Sequence, residues 1–343
     1  MTKKVLVTVV IVTALAIVFL FGCKNSSKVA EDKKIKIGIT VYDQYDTYVS
    51  ELVKCFEDIA KDELDLVIYN ASQSQQTQNT QVQKMIDDGC SVICVNLVDR
   101  TDPSAVIDKA RKNNVPIIFF NRELVSGDIG RWNKLFYVGA DAVQSGTMQG
   151  EMAAMSCITD KSIDKNGDGM IQFVMLEGEA GHQDSIVRSE NSVNALIEAG
   201  IVLDRVGYAI ANWNRAQAQT KMAQFLENYP GEIELVLANN DDMALGAIDA
   251  YDAAEIIGSD RPIILGVDGT DEGLKAVRDD KMIGTVYNDK EGQARAMFRL
   301  AKVLALGGDI SELSEEFTVE DGKYIRLPYA KVTAGNVNKF MKK

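Results

Sequence analysis

Ten short runs of apolar and β-branched residues, recurring about every 25 to 30 residues, constrain this chain more than any other feature. They are Ile35–Tyr42, Leu64–Tyr69, Ser91–Leu97, Val115–Phe120 and Leu135–Val138, then Ile171–Leu176, Leu203–Ile210, Leu235–Ala238, Ile263–Val267 and Ile283–Tyr287. Amphipathic stretches such as Val49–Ala60, Thr77–Asp88, Ala105–Asn113, Ile186–Ala199 and Ala216–Asn228 separate them. Two parallel strands need a crossover of a dozen or more residues, usually a helix, and this spacing supplies one each time. The runs are apolar almost throughout, the pattern of strands covered by helices on both faces. Two series in 343 residues therefore predict two doubly wound α/β domains with parallel sheets. After residue 315 the pattern changes to alternating segments around Asp321-Gly322, which predicts a hairpin. No internal sequence repeat is visible.

Composition closes off several functions. The net charge is −13, from 37 basic and 50 acidic residues, so a nucleic acid held on a broad basic surface is not expected. His182 is the single histidine, which excludes His-rich metal sites and mechanisms needing two imidazoles. Lys3 and Lys4 precede an uncharged run, Val5–Gly22, as in an export leader, and an uncleaved anchor helix is the alternative. The sequence Leu20-Phe21-Gly22-Cys23 followed by polar residues resembles a bacterial lipoprotein signal, in which Cys23 would carry the lipid. Residues 1–22 are then a signal peptide and 23–33 a flexible tether, with the rest outside the cytoplasm and anchored to the membrane. Losing Lys3 and Lys4 would take the charge from −13 to −15, which disfavours adsorption to anionic lipid. Cys55, Cys90, Cys94 and Cys157 could form two disulfides in that compartment, but Cys94 and Cys55 fall in apolar patterns. Four reduced, buried thiols are the favoured expectation, and the Cys90/Cys94 spacing lacks the partners of a zinc site.

Polar residues gather where the runs end, the edge at which open α/β sheets bind ligands. Asp46 and Tyr48 follow the first run and Asn121 the fourth; His182, Asp184 and Arg188 follow the sixth. Trp213, Asn240, Asp268 and Asn288 follow the last four. Each Asx residue alone reads as a helix cap or turn former. Together they line a cleft with carboxylate, amide and guanidinium groups, which suits a ligand rich in hydroxyls.

These motifs carry a resemblance. Asn96-Leu-Val-Asp99, Pro116-Ile-Ile-Phe-Phe-Asn121, Gly181-His-Gln-Asp184, Ala238-Asn-Asn-Asp241, Gly266-Val-Asp268 and Gly284-Thr-Val-Tyr-Asn-Asp289 stand in the order and spacing of the periplasmic galactose/glucose-binding proteins. Those are the sugar receptors of ABC importers. The resemblance, from Ile35 to the end of the chain, implies a type I periplasmic binding protein whose lobes join through a three-strand hinge. The first lobe would comprise residues 34–140 and 289–326, the second 141–288 and 327–343. It implies that Asp46 meets the ring 4-hydroxyl in either epimer, Asn121 the 3-hydroxyl side, and Asp268 and Asn240 neighbouring hydroxyls. His182, Asp184 and Arg188 would surround the 6-hydroxyl, anomeric end and ring oxygen, with Asn288 another hydroxyl ligand at the hinge. Trp213 and Tyr48 would sandwich the pyranose; Tyr48 stands where the family usually has phenylalanine.

A second motif lies in residues 164–172. Asp164, Asn166, Asp168 and Gln172 occupy positions 1, 3, 5 and 9 of an EF-hand loop, with Gly169 at position 6, but position 12 is Met175 instead of glutamate. The resemblance implies that Glu234 completes a structural Ca²⁺ site with those four side chains and the Met170 carbonyl.

Three functions compete. A monomeric binding protein would capture galactose or glucose and deliver it to the membrane subunits of an ABC transporter, with a chemoreceptor as a further partner or as its sole outlet. A glycosidase would need one cleft carboxyl held neutral as an acid, whereas Arg188 beside them is expected to keep them ionised. A sugar-responsive repressor would need a DNA-binding headpiece where this chain has an export signal.

Overall fold

The computed structural model describes residues 34–125 and 127–341; the signal peptide, Cys23 and the tether lie outside the described residues. Two sheets organise the chain from β1 onward. The first contains β1 (Ile35–Val41), β2 (Leu64–Asn70), β3 (Val92–Val95), β4 (Ile117–Phe120) and β5 (Leu135–Gly139), joined much later by β11 (Val319–Glu320) and β12 (Tyr324–Arg326). The second contains β6 (Ile171–Glu177), β7 (Leu203–Ile210), β8 (Leu235–Ala238), β9 (Ile263–Asp268), β10 (Gly284–Tyr287) and β13 (Ala330–Thr333). Their orders are β11-β12-β5-β4-β3-β1-β2 and β13-β10-β9-β8-β6-β7. In each sheet the first five strands run parallel and follow one scheme, the first strand lying between the second and the third. The fold thus repeats where the sequence shows no repeat, because topology depends on the periodicity of apolar residues and not on their identities.

Helices cover both faces of each sheet. On the first, α1 (Thr47–Ala60) packs with α9 (Lys290–Ala305) over one face, and α2 (Gln75–Asp87) with α3 (Ser104–Asn113) over the other. On the second, α4 (Ala142–Thr159) and α5 (Gln183–Glu198) oppose α6 (Arg215–Asn228), α7 (Asp241–Ala253) and α8 (Asp271–Arg278). In α1 the buried residues Val49, Leu52, Val53, Phe56 and Ala60 recur at helical spacing. Leu52 and Phe56 are fully buried, worth about 1.5–3 kcal/mol each. Helix α4 approaches α5 closely through Gly150, where a Cβ would lie 2.2 Å from the Ser192 carbonyl oxygen.

The chain passes between the sheets after β5, after β10 and again after β12. Asp321 and Gly322 both adopt positive φ in the turn joining the antiparallel pair β11–β12. Cys90, Cys94 and Cys157 are buried free thiols, and Cys55 is buried as well. Burial pushes the thiols of Cys90 and Cys157 up to about 11, which keeps them protonated and unreactive.

Candidate functional site

In both sheets the order reverses beside the first strand, so the carboxyl ends of the strands open onto a crevice there. Helices α1, α5 and α7 begin at that edge, and their N-caps are Asp46, His182 and Asn240. Asp46 Oδ1 accepts from the Val49 N–H at 2.9 Å, His182 Nδ1 from the Asp184 N–H at 3.1 Å, and Asn240 Oδ1 from the Met243 N–H at 3.0 Å. The capping reading and the cleft-lining reading of these residues therefore both hold.

An inner pocket of about 30 Å³ is lined by Asp46, Tyr48, Asn121, His182, Asp184, Arg188, Trp213, Asn240 and Asp268. The structure brings together nine of the ten cleft residues picked out in the sequence. The tenth, Asn288, stands behind Asp268: its Nδ2 donates to Asp268 Oδ1 at 3.5 Å, and its Oδ1 accepts from Gln293. Asn121 and Asp268 sit at positive φ, 60° and 106°, at the ends of β4 and β9. Such backbone is uncommon outside glycine and concentrates at functional sites. Trp213 packs edge-on to His182, with ring centroids 5.3 Å apart.

Arg188 is the central charge. Its Nη1 donates to the Asn239 carbonyl at 2.8 Å and its Nη2 to the Tyr329 hydroxyl at 3.2 Å. The same Nη2 lies 3.6 Å from Asp184 and 3.5 Å from Asp268. Burial alone would lower the guanidinium pKa, but Tyr329, Asp268 and Asp184 outweigh it and raise it. The Arg188 Nε and the Tyr48 hydroxyl are buried and meet no hydrogen-bond partner. Burial holds His182 well below the usual imidazole range, helped by Arg122, Arg188 and Arg100, so the ring is neutral and free to accept at Nδ1.

One electrostatic expectation fails. Arg188 does not keep both carboxylates in their ordinary range: burial outweighs it, raising Asp184 and pushing Asp268 up to about 7. The reason is desolvation of the two carboxyls, to which Asp46 and Asp184 add repulsion at Asp268.

Sequence reasoning missed Arg122. It lines the pocket, is 3% exposed, and lies over the Tyr42 ring at 3.5 Å. It also donates to Glu179 of the other lobe at 2.7 Å. A lone arginine closing the apolar run Ile117–Phe120 was the available signal.

The pattern of the periplasmic binding protein domain matches residues 37–309. The chain belongs to this family. Like the family, it has two α/β lobes of type I binding-protein fold, and it works outside the cytoplasm. A D-galactose/methyl-galactoside binding periplasmic protein of Haemophilus influenzae is 32% identical over 335 residues, 97% of this chain and 98% of that one. A xylitol-binding protein of Mycolicibacterium smegmatis is 28% identical over 292 residues, covering 85% and 78% of the two chains. Among solved structures, an ABC transporter solute-binding protein of Bacillus halodurans with bound myo-inositol matches with a TM-score of 0.74. It has 26% identity and covers 90% of this chain and 98% of that one. These relatives bind solutes and are not enzymes, and this binding protein is not one either. No helix of the described residues is long and apolar enough to cross a membrane.

At the other end of the second sheet, residues 164–172 lead into β6, and Glu234 immediately precedes β8. Glu234 is 1% exposed, and its carboxylate accepts from the main-chain N–H groups of Lys165 at 2.5 Å and Gln172 at 3.1 Å. Asp164 accepts from Gly167 and Gly169, while Asp168 accepts from the side chains of Asn166 and Gln172. Among the described residues no three His, Cys, Asp or Glu side chains form a metal-binding group. The oxygens gathered here are instead mixed carboxylate and side-chain amide oxygens, the chemistry of a hard cation. Gly169 adopts φ 81°, as the tight turn at position 6 requires.

Proposed function

We propose that this binding protein captures D-galactose or D-glucose in the inner pocket and hands it to the membrane subunits of an ABC transporter. One observation carries the reading: the buried Arg188 Nε and Tyr48 hydroxyl have no partner, and both residues line a pocket whose other walls are carboxylates, amides, Arg122, His182 and Trp213. Leaving such groups unpaired costs about 1–3 kcal/mol each, and a polyhydroxylated ligand that both donates and accepts would remove that cost. Trp213 offers the aromatic face on which sugar C–H groups pack. The name of the Haemophilus relative, with nearly complete mutual coverage, favours a hexose. Calorimetric titration of the full chain with galactose, glucose, ribose and myo-inositol tests it. The hexoses should bind tightest; preference for ribose or myo-inositol would overturn the assignment.

Two accessory features belong to the same reading. Asp164, Asn166, Asp168, Gln172, Glu234 and the Met170 carbonyl would hold Ca²⁺, which would neutralise clustered carboxylates and pin the loop. Cys23 would carry a lipid, so that Cys23→Ser should move the protein from the membrane fraction to the soluble one.

A further inference from the structure

Beyond the inner pocket the cleft widens into an outer chamber of about 360 Å³, against about 30 Å³ for the pocket itself. Asp46, Arg122 and Trp213 wall both spaces, so the two are contiguous across that rim. Each lobe supplies part of the remaining wall, including Tyr42, Asp43, Tyr45 and Gln73 from the first and Glu179, Asn212 and Gln217 from the second.

Three observations bear on what this chamber holds. Tyr45 is 82% exposed, a large aromatic side chain left in water at the rim, where its face can pack on the C–H surface of a sugar. The lips of the chamber are strained at matching places in the two lobes: Ser72 and Gln73 after β2, and Asn212 and Trp213 after β7, have φ of 49°, 61°, 52° and 60°. Consecutive non-glycine residues in the left-handed region persist only where their surroundings hold them, and they mark functional segments. Hydrogen bonds do hold them here. Gln73 Nε2 donates to Asp43 at 2.7 Å, and Asn212 Nδ2 donates to Gln217 at 2.8 Å. Each glutamine amide retains further hydrogen-bonding capacity. The charges are Asp43, Asp46 and Glu179 against Arg122, a negative balance that turns away phosphorylated or carboxylated ligands.

We propose that the outer chamber is a second sugar subsite, and that the protein takes a neutral disaccharide with one hexose in the inner pocket and the other in the chamber. The proposal rests on the hexose reading of the inner pocket and extends it to a larger substrate class.

Titration of the full chain with galactose, glucose, lactose, cellobiose, maltose and melibiose tests it, alongside Tyr45→Ala, Gln73→Ala and Gln217→Ala. At least one disaccharide should bind about tenfold tighter than either hexose, from the contacts of the added ring. Each substitution should weaken that disaccharide by roughly fivefold; Tyr45→Ala and Gln73→Ala should leave hexose affinity within about twofold, since neither residue lines the inner pocket or holds one that does. If the hexoses bind and no disaccharide binds tighter, the chamber is a water-filled mouth; the proposal falls and the hexose reading stands. Tighter disaccharide binding that ignores all three substitutions also overturns it. If no sugar binds, the hexose reading falls and the second subsite with it.

Discussion

At the scale of single residues, the site works because capping and ligand-lining coincide. Asp46→Asn keeps a cap oxygen, whereas Asp46→Ala removes it, costing about 1 kcal/mol of stability in chemical unfolding. Both should weaken sugar binding, so comparing them separates the two roles. Trp213→Ala should weaken binding by at least about tenfold through loss of stacking and buried area, with the unfolding midpoint little changed. Unaltered affinity in the calorimeter would remove the stacking role. The raised Asp268 carboxyl gives a pH signature. Burial pushes it up to about 7, above the unfolded value, so the folded state binds the extra proton in between and loses stability as pH rises through that window. Sugar hydroxyls that donate to this carboxylate favour its ionised form. Affinity, and the rise in Tm on adding sugar, should therefore grow from pH 5.5 to pH 8; a flat profile by calorimetry would contradict Asp268 as an acceptor. The strand-end residues were legible because Asn, Asp and His stand out against apolar runs. Arg122 was not, because its meaning depends on Tyr42 and Glu179, which sequence distance hides.

At the scale of elements, most strands and their parallel direction were readable from apolar runs alone. Helix α4 was harder: Gly146 and Gly150, which lower helix propensity, are there so that α5 can approach. The loop 164–172 was half-legible, since its own donors follow a recognisable spacing while Glu234 arrives from the start of β8. With Ca²⁺ bound there, chelation should lower the Tm, and Glu234→Gln should abolish that sensitivity while leaving sugar affinity in place, because the loop lies at the opposite end of the sheet from the cleft. An unchanged Tm on chelation, with no heat on adding calcium, would remove the metal from the account.

At the scale of the molecule, the lobes are held together across the cleft by side chains as well as by the crossovers. Thr47 donates to Asp242 at 2.6 Å, Arg122 pairs with Glu179, and the buried Lys290 bonds both Glu51 and Asp271. A ligand shifts an open–closed equilibrium only through contacts that differ between the states. Lys290→Met should loosen closure, giving a weaker apparent affinity and, without sugar, a larger radius of gyration by X-ray scattering that returns towards normal at saturating sugar. Equal radii for the two proteins would show that this ion pair does not bias closure. The discontinuity of the lobes could not be read from periodicity, which reports strands but not which sheet each one joins.

The late arrival of β12 has a consequence for biogenesis. It lies parallel to β5, pairing Tyr324 with Tyr137, so β5 has no partner on that side until nearly the whole polypeptide has been synthesised. A growing chain therefore exposes an open hydrogen-bonding edge on its first lobe while every strand of the second sheet except β13 is being made. Stickiness should peak in that interval, and truncation before residue 324 should yield a first lobe that aggregates instead of one that merely lacks a hairpin.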